Sequence, residues 1–471
     1  MERLIKEGQI IPKHAKQVHR SKIGLGFEKL DRGVFDPEKA YDQVAELGVK
    51  WVRIQSGWAR TEKERGIYDF AWMDSIIENL IARGLKPWVC LCYGNGLYDE
   101  KAAEVFGAVG CPPIHTQEQM EAWDRYVRAF VSRYQGRITH YEVWNEPDGI
   151  WCWKHGVNAT ELGNFTVATA KAIKETDADA KVIGGALCMH DIAYLNEALQ
   201  TGMGKWIDYL SFHEYTADET GVFETVKSLK AMTARYNPAI EIIQGESGSQ
   251  SRSGGHGALW QGAWTEEKQA KQLARHALAD LLANVYFTSY FSCMDMIEAL
   301  NGQNSNKSSY LDYGYFGVLG AEFDENGMSV GEYYKKKSYF ALQNIASVFA
   351  EDFELRDLPV MIRPTDSLRV FGRDVKRDQL ITGGFGREHG EAFVYWHPSD
   401  LMTTSFASTV TMKIYSAYDE VRLIDLMDGS IYEIPDQIMK KNGSGVYTFE
   451  HLPVKDTPLL ITFGKFISQD L

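Results

Sequence analysis

The sequence of 471 residues lacks the features that mark several large classes of protein. Nowhere do 18 uncharged apolar residues follow one another, so no membrane-spanning helix is predicted. Lys and Arg number 50 against 64 Asp and Glu, which gives a formal net charge of −14. Because nucleic acids and anionic membranes are normally bound by a basic face, we expect neither as a partner. A neutral substrate fits this charge better.

Metal-binding and cofactor-binding patterns are also missing. The six cysteines have no Cys-x-x-Cys spacing and are expected to be reduced thiols. The first predicted strand has no His-x-His pair, which disfavours a metal-dependent hydrolase, and Gly24-Leu25-Gly26 lacks the third glycine of a dinucleotide-binding motif. We therefore expect no metal and no cofactor.

The N-terminus carries no apolar stretch of signal-peptide length. Cytoplasmic location is the default expectation, with secretion the alternative if a signal peptide has been removed. The sequence leaves the oligomeric state open, and a homo-oligomer is compatible with it.

Short apolar runs alternate with longer amphipathic segments through the first three quarters of the chain, as in β/α units around a parallel sheet. Eight such units favour an α/β fold of the (β/α)8 TIM-barrel type over an open sheet, and we assign the barrel to residues 23–349. The eight predicted strands are 23–27, 51–55, 87–92, 139–144, 182–187, 207–213, 240–244 and 286–292.

A second pattern begins near residue 350. Strands of alternating character are separated there by turn signals such as Asp428-Gly429 and Asn442-Gly443. We predict an all-β sandwich domain over residues 350–471. The N-terminal segment 1–22 is a candidate for one further strand of that domain.

Two glutamates stand at the ends of predicted strands. Glu146 follows the fourth strand in Asn145-Glu146-Pro147, and Glu246 follows the seventh strand in Gly245-Glu246-Ser247. Barrel enzymes carry their chemistry at these strand ends. A pair of carboxyl groups there can cleave a glycosidic bond, one as acid and base and the other as nucleophile. A structural role, as a helix N-terminal charge or a surface ion pair, is the alternative for either residue alone.

The segments Trp144-Asn145-Glu146-Pro147 and Gly245-Glu246-Ser247, in this order, resemble those of the retaining glycoside hydrolases of clan A. Within that clan the chain is most similar to family 39, the β-xylosidase-like enzymes, over roughly residues 20–345. The resemblance implies a barrel followed by a β-sandwich, with Glu146 as the acid/base and Glu246 as the nucleophile.

The same resemblance implies roles for four supporting residues. Asn145 would hold the 2-hydroxyl of the sugar. His213 or Tyr215 would hydrogen-bond the nucleophile, and Arg53 would favour its ionised form. For Arg53 and His213, a role as a buried structural partner stays open beside the catalytic one.

Bulky aromatic residues in the loops after strands three, four and seven would close one end of a groove into a pocket. Such a pocket predicts exo action on short β-linked oligosaccharides, carbohydrate being the expected partner. Burial in the core is the alternative for each aromatic residue. An endo-acting β-glycanase and an inactive carbohydrate-binding protein are the alternative functions. The aromatic residues are Tyr93, Tyr98, Trp151, Trp153, Trp260 and Trp264.

Two departures from the clan pattern leave the sugar undetermined. Many clan members carry a histidine after the third strand, where this chain has Leu91-Cys92-Tyr93. A tryptophan is common on the eighth strand, where this chain has Tyr290-Phe291-Ser292.

Overall fold

A computed structural model describes residues 1, 3–104, 107–299, 311–364 and 380–467. It contains a closed barrel of eight strands together with four open antiparallel sheets. All neighbouring barrel strands are parallel. The predicted (β/α)8 barrel with an added β-sandwich is therefore confirmed.

The barrel strands begin and end within a few residues of their predicted limits, and the eighth is the most shortened. Their residues are almost entirely buried, as expected for strands enclosed between side chains of the barrel interior and an outer ring of helices. The strands are β1 (Ile23–Gly26), β2 (Trp51–Gln55), β3 (Lys86–Leu91), β4 (His140–Val143), β5 (Lys181–Leu187), β6 (Tyr209–His213), β7 (Glu241–Ser247) and β8 (Thr288–Tyr290).

One longer helix follows each barrel strand. The side-chain oxygen of Thr116 caps the third of these helices by accepting from the backbone N–H of Gln119, because the first N–H groups of a helix have no partner within it. The helices are α1 (Tyr41–Glu46), α2 (Ala71–Ala82), α3 (Gln117–Tyr134), α4 (Ala159–Thr176), α5 (Ile192–Gln200), α6 (Val222–Ala234), α7 (Glu266–Leu282) and α8 (Lys337–Val348).

Several short elements lie in the loops. Trp58–Thr61 and Gly107–Gly110 are one-turn α-helices, and two small hairpins follow β8. The hairpins pair Met296–Ala299 with Leu311–Gly314 and Leu319–Phe323 with Ser329–Lys335. The 3₁₀ helices are Ala15–Gln17, Leu30–Arg32, Pro37–Lys39, Glu100–Ala103, Met203–Lys205 and Glu219–Gly221.

The C-terminal part of the chain forms two antiparallel sheets that share a second hydrophobic core. The N-terminal strand Ile5–Gln9 is the edge strand of the larger sheet and pairs with Ser430–Glu433. The larger sheet has the order Ile5–Gln9, Ser430–Glu433, Arg422–Asp425, Leu459–Gly464, Gly390–Trp396, Ile381–Arg387 and Glu354–Leu355. The smaller sheet has the order Val360–Pro364, Ala407–Tyr415, Val446–Lys455 and Met439–Lys441.

Buried polar contacts join the sandwich to the barrel. Glu219, in the loop after β6, accepts hydrogen bonds from Arg275 of α7 and from the indole N–H of Trp396 in the sandwich, at 2.8 and 2.7 Å. Arg275 also donates to the carbonyl oxygen of Ser399 at 2.8 Å. Since a buried charge is tolerated only when it is paired, this cluster fixes the sandwich against one side of the barrel.

Among the helices that the structure describes, none has the length and apolar character needed to cross a bilayer.

Candidate active site

A cavity of about 530 Å³ opens at the C-terminal ends of the barrel strands. Residues at or after the C-terminal ends of all eight strands contribute to its wall. This is the face on which barrel enzymes place their catalytic groups. The lining residues are Glu28, Lys29, Arg32, Gln55, Tyr93, Val109, Asn145, Glu146, Trp151, Cys152, Cys188, His213, Tyr215, Glu246, Gly257, Ala258, Phe291, Met296 and Phe316.

Glu146 and Glu246 face each other in this cavity. A carboxylate oxygen of Glu146 lies within 4.8 Å of a carboxylate oxygen of Glu246. Glu246 lies near the C-terminal end of β7, and Glu146 lies three residues beyond β4. The backbone of Glu146 is in the left-handed region, with φ of 45°, and its N–H donates to the carbonyl oxygen of Ala186. A non-glycine residue held there is under backbone strain, which often occurs at functional sites.

Arg53 of β2 is fully buried beneath the two glutamates and connects several acidic groups. Its guanidinium donates to Glu28 at 3.0 Å, to Glu142 at 2.8 Å and to Glu246. It also donates to the side-chain oxygen of Asn145 at 2.8 Å. Burial acts to lower the pKa of Arg53, but the surrounding carboxylates outweigh it and raise that pKa well above its usual value. Arg53 is therefore a permanent positive charge under the site.

Glu246 is surrounded by groups that favour its ionised form. The Tyr215 hydroxyl donates to Glu246 Oε2 at 2.6 Å, and Arg53 donates to Oε1. Burial alone would raise the pKa of this carboxyl, but His213, Arg53 and the Tyr215 hydrogen bond together lower the pKa below its ordinary value. A carboxylate that is ionised at neutral pH and faces a cavity is suited to nucleophilic attack.

His213 lies between the two glutamates but is closer to Glu146. Its Nδ1 atom is 3.0 Å from Glu146 Oε1 and 3.6 Å from Glu246 Oε2. Of the two expected partners of the nucleophile, Tyr215 makes the hydrogen bond and His213 contacts the other glutamate. Burial lowers the pKa of His213, but the neighbouring carboxylates Glu246 and Glu146 raise it overall. A Cβ at Gly245 would be 3.0 Å from His213 Nε2 and would collide with Ser211, so a glycine is needed there.

Two of the predicted aromatic residues lie in the cavity wall. The indole N–H of Trp151 donates to Glu146 Oε2 at 2.6 Å, and this side chain is 49% exposed. The Tyr93 hydroxyl accepts from the side-chain amide of Gln55 at 3.1 Å. Trp151 therefore fixes the position of the Glu146 carboxyl, while Tyr93 lines the cavity near Arg32, whose guanidinium carbon is 5.5 Å from the Tyr93 ring centroid.

Trp153, Trp264, Trp260 and Tyr98, the other four predicted wall residues, are not among the residues that line the cavity. Trp153 is fully buried in the barrel core, and its N–H donates to Glu161 at 3.0 Å. Trp264 is also buried, and its N–H donates to the carbonyl oxygen of Leu259. Each indole N–H thus has a hydrogen-bond partner of its own, which is usual for a buried tryptophan. Trp260 is exposed outside the cavity, and Tyr98 stacks on Trp58.

Several cavity residues were missed by sequence reasoning. Glu28 lies two residues beyond β1, and the strand-end argument that found Glu146 applies to it as well. Burial, opposed by Arg53, raises the pKa of the Glu28 carboxyl to about 8. Lys29 and Arg32 follow in the same loop and give one side of the cavity a positive character. Phe291 and Phe316 form an apolar wall near Tyr215.

Two groups of side chains in the described part of the chain have the donor atoms to hold a metal ion. The first consists of Glu146, His213 and Glu246, within the cavity. Arg53 donates to Glu246, and this permanent positive charge disfavours a cation there. The second group, Asp99, Cys111 and His155, lies in the loops after β3 and β4.

Comparison with known proteins agrees with the arrangement of the barrel. Residues 36–244 match the sequence model of glycosyl hydrolases family 39. A β-xylosidase of Caldicellulosiruptor saccharolyticus is 29% identical over 191 residues, which are 37% of this chain and 38% of that protein. The chain thus matches well under half the length of this curated relative.

Two solved structures share the fold over nearly the whole chain. A family 39 glycoside hydrolase of Bacteroides cellulosilyticus has a TM-score of 0.63 and 16% identity, covering 94% of this chain and 80% of the other. A monomeric β-xylosidase of Caulobacter crescentus has a TM-score of 0.62 and 16% identity, covering 98% of both chains. At this identity the likeness concerns the fold alone.

Proposed function

Since the identification with the clan A glycoside hydrolases, family 39, is confirmed, we propose that this chain is a retaining β-glycosidase. It hydrolyses O-glycosidic bonds of short β-linked oligosaccharides by double displacement. The observation that carries this proposal is the pair Glu146 and Glu246, with carboxylate oxygens within 4.8 Å of each other in one cavity. Retaining glycosidases hold their two carboxyl groups about 5–5.5 Å apart, whereas inverting enzymes leave about 6.5–9.5 Å for a water molecule.

In the first step, Glu246 attacks the anomeric carbon and Glu146 donates a proton to the leaving oxygen. Tyr215 and Arg53 keep Glu246 ionised through their hydrogen bonds to its two oxygens. His213 and Trp151 hold the carboxyl group of Glu146 at 3.0 and 2.6 Å, so that its position relative to the leaving group is fixed. The products of this step are a covalent glycosyl-enzyme on Glu246 and the released alcohol.

In the second step, Glu146 takes a proton from water, which attacks the anomeric carbon and releases Glu246. Two inversions leave the sugar in its original β configuration. Asn145 lies in the same cavity, and its side-chain oxygen accepts from Arg53 at 2.8 Å. Its amide N–H₂ is then oriented to donate to the 2-hydroxyl of the sugar, a contact that strengthens in the oxocarbenium-like transition state.

The shape of the cavity supports exo action. Residues at or after the C-terminal ends of all eight strands contribute to the wall, so wall residues come from around the whole barrel mouth. An endo-acting β-glycanase needs a groove that is open at two ends, because the chain continues in both directions from the cleaved bond. A volume of about 530 Å³ is in the range of a small-molecule site.

We expect single sugars as the first product from a xylo-oligosaccharide ladder, because a surrounded cavity admits only the end of a chain. β-Xylosides are the first substrates to test, since the Caldicellulosiruptor relative is named a β-xylosidase. Aryl β-glucosides and aryl β-galactosides complete the panel. Chromatography in the first minutes distinguishes the two modes of action. Accumulation of mid-length fragments before monosaccharide would favour the endo-acting alternative.

The Tyr215→Phe variant should shift the acid limb of the kcat/KM profile to higher pH by about one to two units. The hydroxyl hydrogen bond favours ionised Glu246, so its loss raises the pKa of that carboxyl, and activity requires the ionised form. At pH values below both the wild-type and the variant pKa, this shift corresponds to about a ten- to hundredfold loss in kcat/KM, and the loss disappears as the pH rises above the shifted pKa.

The matched control for Tyr215→Phe is Tyr290→Phe. The Tyr290 hydroxyl donates to the carbonyl oxygen of Ser249 and has no recorded contact with either glutamate. Its acid limb should stay at the wild-type pH. An unchanged acid limb in Tyr215→Phe would remove Tyr215 from the proposed role.

An inactive carbohydrate-binding protein is the alternative from another class. Such a protein would have no need of two carboxylates held against each other beside a buried arginine. Hydrolysis of any aryl β-glycoside in the panel would exclude it, and proton NMR of the first product tests the mechanism. The β-anomer should appear first and then equilibrate with the α-anomer.

The remaining sequence expectations stand as parts of this proposal. The barrel domain comprises residues 23–349 and the sandwich domain residues 350–471, and pairing of Ile5–Gln9 with Ser430–Glu433 supports adding the first 22 residues to the sandwich. Cytoplasmic location, a carbohydrate partner and the absence of a nucleic-acid partner stay predictions.

A further inference from the structure

A compact group of metal-binding side chains lies beside the proposed active site. Asp99, Cys111 and His155 each offer one ligand atom, and these three atoms lie within 4.8 Å of one another. Asp99 and Cys111 belong to the long loop between β3 and α3, whereas His155 belongs to the loop after β4. We propose that these three side chains form a binding site for one Zn²⁺ ion that joins the two loops.

The donor set selects the class of metal. A thiolate, an imidazole and a carboxylate are the three side-chain ligands that Zn²⁺ prefers, and a thiolate disfavours Mg²⁺ and Ca²⁺. Ligand atoms around a tetrahedral Zn²⁺ lie roughly 3.5 Å apart, given bonds of about 2.0–2.3 Å. Separations of at most 4.8 Å therefore require the side chains to close by roughly 1 Å. Water completes the fourth position.

Asp99 provides an independent indication of a missing partner. Its Oδ1 atom accepts from the backbone N–H of Lys101 at 2.9 Å, where Asp99 caps the 3₁₀ helix Glu100–Ala103. Its Oδ2 atom is buried and has no hydrogen-bond partner among the residues that the structure describes. A buried carboxylate oxygen is destabilising unless a donor or a cation meets it. A metal ion bound to Oδ2 supplies that cation.

The other two ligands are held in suitable surroundings. Cys111 is only 2% exposed, whereas His155 is exposed and gives an ion access from solvent. The ring of His115 contacts the ring of His155 edge-on, with centroids 3.9 Å apart. His115 is itself fixed because its backbone N–H donates to the Gln119 side chain at 2.9 Å.

The position of the site gives it a consequence for the cavity. The two loops already touch, since the backbone N–H of Lys154 donates to the carbonyl oxygen of Gly110 at 2.9 Å. One loop carries Val109 and the other carries Trp151, and both residues line the cavity. An ion that links Asp99, Cys111 and His155 would hold these two parts of the wall together.

The test is a titration of the chelator-treated full chain with Co²⁺, a spectroscopic substitute for Zn²⁺. We expect one equivalent to bind and to produce a thiolate-to-cobalt charge-transfer band, which Zn²⁺ then removes. Cys111→Ser should abolish the band, and His155→Ala should weaken Co²⁺ binding at least tenfold. Cys188→Ser is the matched control, because that half-buried thiol lies outside the cluster. The charge-transfer band of the Cys188→Ser variant should equal that of the wild type.

Three results would overturn the proposal: no charge-transfer band, a band that persists in Cys111→Ser, or wild-type affinity in His155→Ala. The exposed His155 variant keeps the test decisive if Cys111→Ser does not fold. Co²⁺ held by Glu146, His213 and Glu246 would show no thiolate band, so the two clusters are distinguished. Because the readout is spectroscopic, it is independent of glycosidase activity.

Discussion

Glu246→Ala is expected to lower kcat on aryl β-glycosides by about four orders of magnitude or more, the scale seen when a covalent nucleophile is removed. Without this carboxylate no glycosyl-enzyme can form. The fold should survive, because Arg53 keeps its hydrogen bonds to Glu28, Glu142 and Asn145. Initial rates for wild type and variant, with thermal melts of both, measure the two effects separately.

Azide provides the control for Glu246→Ala. A small anion in the place of the missing carboxylate attacks from the nucleophile's side and gives an α-glycosyl azide, so product of the original β configuration should not return. Restoration of the β-product, or wild-type turnover without azide, would contradict the assignment of Glu246. Glu142→Gln is a useful comparison, because Glu142 also accepts from Arg53 but does not line the cavity. It should retain far more activity than Glu246→Ala.

The pairing of Glu146 with Glu246, the proposed catalytic pair, was predictable because the position of each residue follows from local sequence. Glu146 and Glu246 each come at the end of an apolar run, and the ends of parallel strands meet on one face of a closed barrel. The same rule also covers Glu28, which lies two residues beyond β1 and lines the cavity. It was overlooked because no sequence motif surrounds it.

The aromatic wall was less predictable because two nearby residues in a loop can point in opposite directions. Trp151 and Trp153 are separated by one residue, yet the first reaches Glu146 in the cavity and the second reaches Glu161 at the start of α4. Both residues are tryptophans in the same loop, so residue type does not distinguish them. Which of the two lines the cavity depends on how the loop folds back onto the barrel. Sequence alone does not contain that information.

The buried network under the site was also beyond local reasoning. Arg53 was identified, but its partners come from the loop after β1 and from β4 and β7, and they include the proposed nucleophile Glu246 as well as Glu28 and Glu142. Likewise, His213 was placed beside the nucleophile, whereas its shorter contact is with Glu146. Which glutamate His213 contacts more closely depends on a difference of under 1 Å between two distances. These side chains come together only when the barrel closes.

Glu146→Ala is expected to have an effect that depends on the leaving group. Loss of a general acid typically costs about 10²–10⁴-fold in rate, and we expect that loss for alkyl glycosides and oligosaccharides. Aryl glycosides with strongly activated leaving groups need no protonation and should retain glycosylation of Glu246. Their turnover should then be limited by deglycosylation, because water has lost its base.

Azide should restore turnover of activated substrates by Glu146→Ala and yield a β-glycosyl azide, because it attacks the intermediate on Glu246 without needing a base. Glu161→Ala is the matched control. Glu161 accepts from Trp153 much as Glu146 accepts from Trp151, but it does not line the cavity. The rate of Glu161→Ala should depend on the leaving group as the wild-type rate does, and added azide should give no glycosyl azide. An equal loss for all leaving groups in Glu146→Ala, or an α-azide product, would exclude Glu146 as the acid/base.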